Sequence, residues 1–236
     1  MRQFIGRLRE RGQLTEIRES VSPEFEAAKL ARELRKPLLF HDIRGFKVAM
    51  NILQSRSLLS DALGIAENDI VKHLASLTPD GEVTLVDDSP TMEVDSAPDL
   101  EKLPVLMHYP KDRGAYMTAG IIVSEFEGVM NASVHRLLVL GKNRLAGRLV
   151  EQRHTYELHK KASEKGEPLP VAIVIGASPA VMLASTTRLP PGREFQYASA
   201  IAGKPVELFE CGNGIKVPHA EFVLEGYIHP SERVEE

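Results

Sequence analysis

A single cysteine, Cys211, in a chain of 236 residues removes every covalent staple and every thiolate clip from the ways this sequence could hold itself together. An internal disulfide needs a second thiol, and a Cys-ligated zinc or iron–sulfur site needs more than one. What remains is a hydrophobic core, and 43% apolar residues over this length can bury one. The length admits one large domain or two small ones. A chain with one unpaired thiol fits a reducing compartment, so the expected location is the cytoplasm.

Charge and composition narrow the partners. Lys and Arg number 29 against 33 Asp and Glu, a net charge of −4, which is the wrong balance for a nucleic-acid binder. Trp is absent and aromatics make up 6%, which argues against a stacking platform for single strands. No apolar run approaches the roughly 18 residues that span a bilayer, and residues 1–12 alternate charged and apolar side chains, unlike an export signal. Neither membrane insertion nor export is expected.

Along the chain, residues 22–35 read as a helix, with Ser22 as N-cap, Pro23 at the first helical position and Ala27, Leu30, Ala31 and Leu34 as the buried stripe. Short strands follow at 37–40 and 46–50, and Ile70, Leu74 and Leu77 mark another helix. Residues 89–113 carry four prolines and no sustained period, as a connector does, so a domain boundary is placed at 105/106. Beyond it, 120–124 and 129–140 are strand-like, and Gly141-Lys-Asn143 turns the chain into 144–150 to make a hairpin. A helix over 154–165, a continuous apolar strand at 171–175, a helical turn at 179–185, a helix at 194–202 closed by Gly203, and strands at 206–210 and 221–228 complete an α/β (α+β) reading.

The chemistry concentrates in Met130-Asn-Ala-Ser-Val-His-Arg136. Four polar side chains within six residues of an apolar strand are costly to bury unless they meet partners or a ligand. Alternation alone could instead place Asn131, Ser133 and His135 on a solvated face. Parity also sends Asn131 and Arg136 to opposite faces, so a shared site needs a bulge or a strand end to re-aim one of them. Arg148 and Arg153 flank a strand-to-helix junction where guanidinium groups and a helix N-terminus suit an anion, although solvated arginines are the commoner arrangement. His154 and His159 are five apart and diverge on a helix, which disfavours a zincin pair. The 171–180 segment has strand–loop–helix order without a complete dinucleotide or P-loop fingerprint, leaving a generic nucleotide-binding α/β protein weakly supported. The sequence also lacks Gly-x-Ser-x-Gly.

Taken in order, Ala119-Gly-Ile-Ile-Val-Ser124, Asn131-x-Ser-x-His-Arg136, Arg148-Leu-Val150, Arg153-His154, Ala172-Ile-Val-Ile-Gly176 with Pro179, Ala184-Ser185, Glu194, Gly203-x-Pro-Val-Glu207 and Val217-Pro-x-Ala-Glu-Phe-Val-Leu-Glu-Gly226 resemble the UbiD-type decarboxylase family, which uses prenylated flavin mononucleotide (prenylated FMN). The resemblance implies a split β-barrel-like flavin-binding domain over 106–236, a smaller α/β region over 1–105, and absence of the family's C-terminal oligomerisation domain. It implies that Asn131, His154 and Glu194 hold a divalent metal, usually Mn2+, at the cofactor phosphate, an O, N and O donor set suited to such a cation. It places Val134, His135, Arg136, Arg148, Leu149, Val150, Arg153, His154, Ser185 and Thr186 around the flavin, with a K+ site near Ala184 and Ser185. Arg136 and Glu236 become the catalytic pair of an acid–arginine–acid network whose second acid, the proton donor, lies past the end of this sequence.

The activity implied is reversible, non-oxidative decarboxylation of an α,β-unsaturated or aromatic acid. Family substrates include cinnamate-like acids, polyprenyl-hydroxybenzoates and a phosphorylated unsaturated acid of archaeal isoprenoid synthesis, and the reading leans to isoprenoid or quinone metabolism. A flavin prenyltransferase is the implied cofactor supplier, and a homo-oligomer the implied assembly of the full-length form. The competing reading is a truncated or split module that binds flavin and metal without catalysis.

Overall fold

A computed structural model describes residues 1–234. At the N-terminus, α1 (Arg2–Glu10) leads into β1 (Thr15–Ser20), α2 (Glu26–Leu34), β2 (Leu38–Ile43) and β3 (Phe46–Met50). β1 and β2 are parallel with α2 as the crossover, and β3 returns antiparallel to β2. Ala27 and Ala31 of α2 pack with Phe40 and Ile43, small side chains letting the helix sit close on the sheet. The helix starts at Glu26, four residues after the expected Ser22. Pro23 and Phe25 spend their backbone groups on the connector: the Phe25 N–H donates to Met107 O at 2.9 Å and the Met107 N–H to Pro23 O at 3.0 Å. Ser22 still organises the entry, because its Oγ accepts from the Glu24 N–H and its own N–H donates to the Glu26 carboxylate.

Two further helices, α3 (Arg56–Leu63) and α4 (Ile70–Ser76), precede β4 (Val83–Leu85). The chain then forms β5 (Tyr116–Phe126), β6 (Val129–Val139), β7 (Leu145–Gly147), α5 (His154–Glu164), β8 (Leu169–Ile175), α6 (Pro179–Ala184), α7 (Glu194–Ala202), β9 (Val206–Glu210), β10 (Lys216–Pro218) and β11 (Phe222–Ile228). An antiparallel sheet in the order β11-β8-β5-β6-β7 curls into a half-barrel, and β10-β9-β4 forms a smaller sheet. The expected β6–β7 hairpin is present. A second hairpin was not expected: Glu127 and Gly128 both have positive φ (52° and 75°), the two-residue turn that matches strand twist, and they join two 11-residue strands.

The apolar run of β8 is explained by layers on both of its faces. On one side Ile122, Leu137, Val171 and Ile173 meet Leu158 and Ala162 of α5. On the other, Ile121, Val123, Ala172 and Val174 meet Val181, Phe195 and Ala198 of α6 and α7, with Phe209 and Val217 of the small sheet. α6 begins as expected, with Ser178 as N-cap and Pro179 at the first position, and α7 ends at Gly203 in the left-handed conformation. Among the described residues, no helix is long and apolar enough to cross a membrane.

Candidate functional site

β7 pairs with β6 only over residues 137–139, which leaves the edge of β6 from 129 to 136 without a strand neighbour among the described residues. Helix termini take its place. The Val134 N–H donates to the carbonyl of Ser185 at the C-cap of α6 (3.4 Å), and the Ala132 N–H hydrogen-bonds the carboxylate of Glu194, the first residue of α7. Two sequence-distant site candidates are thereby fixed to alternate amides of one strand.

Glu194 is 3% exposed and its Oε2 has no hydrogen-bond partner among the described residues. Burial pushes its carboxyl up to about 7, and the backbone N–H groups of Glu194 and Ala132 offset only part of that. Ser185 Oγ is also buried without a partner, as is Ser124 Oγ, directly across from Asn131 in the β5–β6 register. Buried unpartnered oxygens of this kind suit a cation.

Asn131, Ser133 and His135 share the face of β6 that looks toward α5, where they form a connected polar group with Thr155. Asn131 Nδ2 lies 3.0 Å from Ser133 Oγ and 2.8 Å from Thr155 Oγ1, and Ser133 Oγ lies 2.9 Å from His135 Nε2. These residues are therefore not on a solvated face. Burial lowers the His135 imidazole from its ordinary value, and a hydrogen bond with the Arg148 backbone partly counters this. His154 is the first residue of α5, beside Thr155, so its backbone adjoins the Asn131 group.

Most of the other candidates are more exposed. Arg148, Val150 and Arg153 are exposed and Leu149 half-buried in the loop between β7 and α5, while Thr186 turns its Oγ1 back onto Leu183 O at 2.8 Å. Arg136 takes the opposite face of β6 from Asn131, with its guanidinium carbon 4.9 Å from the centre of the Tyr116 ring. The β5–β6 register carries a bulge on the partner strand and not on β6: Met117 pairs with Leu137 and Gly120 with His135, leaving Thr118 and Ala119 together opposite Arg136, so it does not turn Arg136 to the Asn131 face as the sequence reading required. Glu236 lies outside the described residues. No group of three or more His, Cys, Asp or Glu converges among the described residues, so a cation here needs the Asn131 amide as a donor. Thr155 was missed by sequence reasoning, since a threonine in the first turn of a helix carries no distinguishing signal.

Residues 84–236 match the family described as 3-octaprenyl-4-hydroxybenzoate carboxy-lyase Rift-related domain, and residues 5–78 match the corresponding N-terminal domain. The chain belongs to the UbiD family. An anhydromevalonate phosphate decarboxylase of Methanosarcina mazei is 58% identical over 236 residues, which is 100% of this chain and 56% of that protein. A protein of the same name from Archaeoglobus fulgidus is 39% identical over 196 residues, 83% of this chain and 45% of that one. An evolved dimeric form of the UbiD-class enzyme HmfF from Pelotomaculum thermopropionicum, solved with prFMN, superimposes with a TM-score of 0.90 at 34% identity, covering 97% of this chain and 57% of that one. The chain thus spans about half the length of the curated relatives it matches.

Proposed function

We propose that this chain is the cofactor- and metal-binding portion of a non-oxidative carboxy-lyase that uses prenylated FMN and acts on anhydromevalonate phosphate or a close analogue, in isoprenoid biosynthesis. The observation that carries the reading is the buried Glu194 carboxylate, held at the β6 edge through the Ala132 N–H with its Oε2 left without a partner among the described residues. The names borne by these curated relatives support the substrate. Residues 1–105 form the smaller α/β region and 106–236 the flavin-binding region in this proposal.

Asn131, His154 and Glu194 hold a divalent cation, Mn2+ by family resemblance and compatible with an O, N and O donor set, and Ala184 and Ser185 contribute to a K+ site. Arg148, Arg153 and the free N–H groups at the start of α5 take the cofactor phosphate, whose charge the cation offsets. Val134, Leu149, Val150 and Thr186 contribute to the walls. The prenylated flavin, when bound, supplies the electron sink for loss of CO2. Arg136, steadied by the Tyr116 ring, presents a planar fork to the substrate carboxylate, and Glu236 belongs to the same acid–arginine network. A flavin prenyltransferase supplies the cofactor, and the complete protein is a cytoplasmic homo-oligomer.

Co-expression with a flavin prenyltransferase tests the reading. Purified protein should carry the modified flavin spectrum and stoichiometric Mn2+, both lost in Asn131→Ala and Glu194→Ala. Variants that retain flavin and metal like the parent overturn the site assignment.

A further inference from the structure

The polar group beneath Asn131 has a proton count that fixes which way the Asn131 amide faces. Four contacts each need one proton: Asn131 to Ser133 (3.0 Å), Asn131 to Thr155 (2.8 Å), Ser133 to Thr155 (2.9 Å) and Ser133 to His135 Nε2 (2.9 Å). With Nδ2 toward the hydroxyls, two amide protons and two hydroxyl protons serve all four. With Oδ1 turned inward, the two hydroxyl protons plus one from Nε2 serve at most three, whichever tautomer His135 adopts. One oxygen pair would then face each other without a proton, in a place where Thr155 is 1% and Asn131 3% exposed.

The His135 tautomer closes the count from the other end. Its ring hydrogen-bonds the Arg148 backbone, and Nε2 is already engaged by Ser133 and lies 3.3 Å from Thr155 Oγ1, so Nδ1 is the nitrogen that donates to the Arg148 carbonyl. Nε2 then accepts from Ser133, Ser133 accepts from Thr155 and Asn131, and Thr155 accepts from Asn131. Every proton points away from Asn131 Oδ1.

We infer that Thr155, with Ser133 and His135, is the positioning unit that locks the Asn131 amide with its oxygen outward, so that Oδ1 is prepared as a cation donor before any cation arrives. The inference rests on the metal-site reading above for its consequence, while the amide orientation stands on the contacts alone. Thr155 and Ser133 act through Asn131, and His135 is part of the lock as well as a neighbour of the cofactor region.

The test compares the parent with Thr155→Val, which keeps shape and loses the hydroxyl, with Thr155→Ser, which restores it, and with Asn131→Ala. Free Mn2+ measured by electron paramagnetic resonance should show affinity falling about 10- to 100-fold in Thr155→Val and recovering in Thr155→Ser, the usual effect of losing an outer partner of a metal ligand. In metal-free protein, the Asn131 side-chain amide protons should exchange slowly in the parent and in Thr155→Ser and quickly in Thr155→Val, and 15N spectra should show the His135 proton on Nδ1.

Parent-like Mn2+ affinity in Thr155→Val, alongside a loss in Asn131→Ala, overturns the inference and leaves the metal site standing. Parent-like affinity in Asn131→Ala overturns the metal site, and the amide exchange then judges the orientation by itself. Failure of Thr155→Ser to restore either readout assigns Thr155 a packing role and overturns the inference.

Discussion

Glu194→Gln in metal-free protein isolates the energetic effect of the carboxylate that the fold buries. The ordinary carboxyl value of 4.5 is raised to about 7 in the folded chain, so the unfolded chain gives up this proton first as pH rises. Deprotonation therefore favours the unfolded state from about pH 4.5 upward, and the penalty stops growing once pH passes about 7. The span corresponds to about 3 kcal/mol as an upper figure. Glutamine keeps an acceptor for the Ala132 N–H and carries no charge. In urea denaturation after exhaustive chelation, Glu194→Gln should be more stable than the parent by roughly 2 to 3 kcal/mol at pH 8 and by under about 1 kcal/mol at pH 5. With the proposed cation site, saturating Mn2+ should reverse the order at pH 8, because a cation favours a carboxylate over a neutral amide. A difference between the two proteins that does not change with pH, or a parent that is the more stable at pH 8 without metal, would refute the desolvation argument.

Three further perturbations probe packing and the site. Gly81→Ala would bring a Cβ to 2.6 Å from Gln196 O and 2.7 Å from Ala200 N on α7, so urea midpoints should report a loss of about 1 to 3 kcal/mol. Phe195→Ala empties the centre of the larger core, where Phe195 is 2% exposed, and should cost about 3 to 5 kcal/mol in the same assay; a loss under about 1 kcal/mol would mean that α7 does not anchor that core. Titrating chelated protein with Mn2+ to about 100 times its Kd should add roughly 2.7 kcal/mol of stability, read as a rise in Tm, and a Tm indifferent to Mn2+ counts against the cation site.

The parts of this fold that the sequence made legible are those whose signals are local. Val171–Ile175 announces a strand covered on both faces because every residue in it is apolar, and Ser178-Pro179 and Gly203 mark helix ends through chemistry that acts within a turn. β1 stayed hidden because Thr15-Glu-Ile-Arg-Glu-Ser20 is mostly polar, and its strand character comes from pairing with β2 across the α2 crossover. The start of α2 was misplaced for a similar reason: capping chemistry at Ser22 is real, yet the next residues are claimed by Met107, more than eighty positions away. Within the site, Asn131 and Glu194 were identified by family resemblance. The strand edge that joins them, and the hydroxyl of Thr155 beneath Asn131, depend on the folded arrangement and leave no local mark.

The half-covered edge of β6 also bears on how this chain can fail. A strand with one bare side is a template for any other strand that can reach it, including the same strand in a second copy. Here the amides of Ala132 and Val134 are occupied by a glutamate side chain and a helix-terminal carbonyl, so the segment that builds the site also blocks association. Loosening residues 185–194 would remove both covers together, and aggregation would then accompany loss of the site.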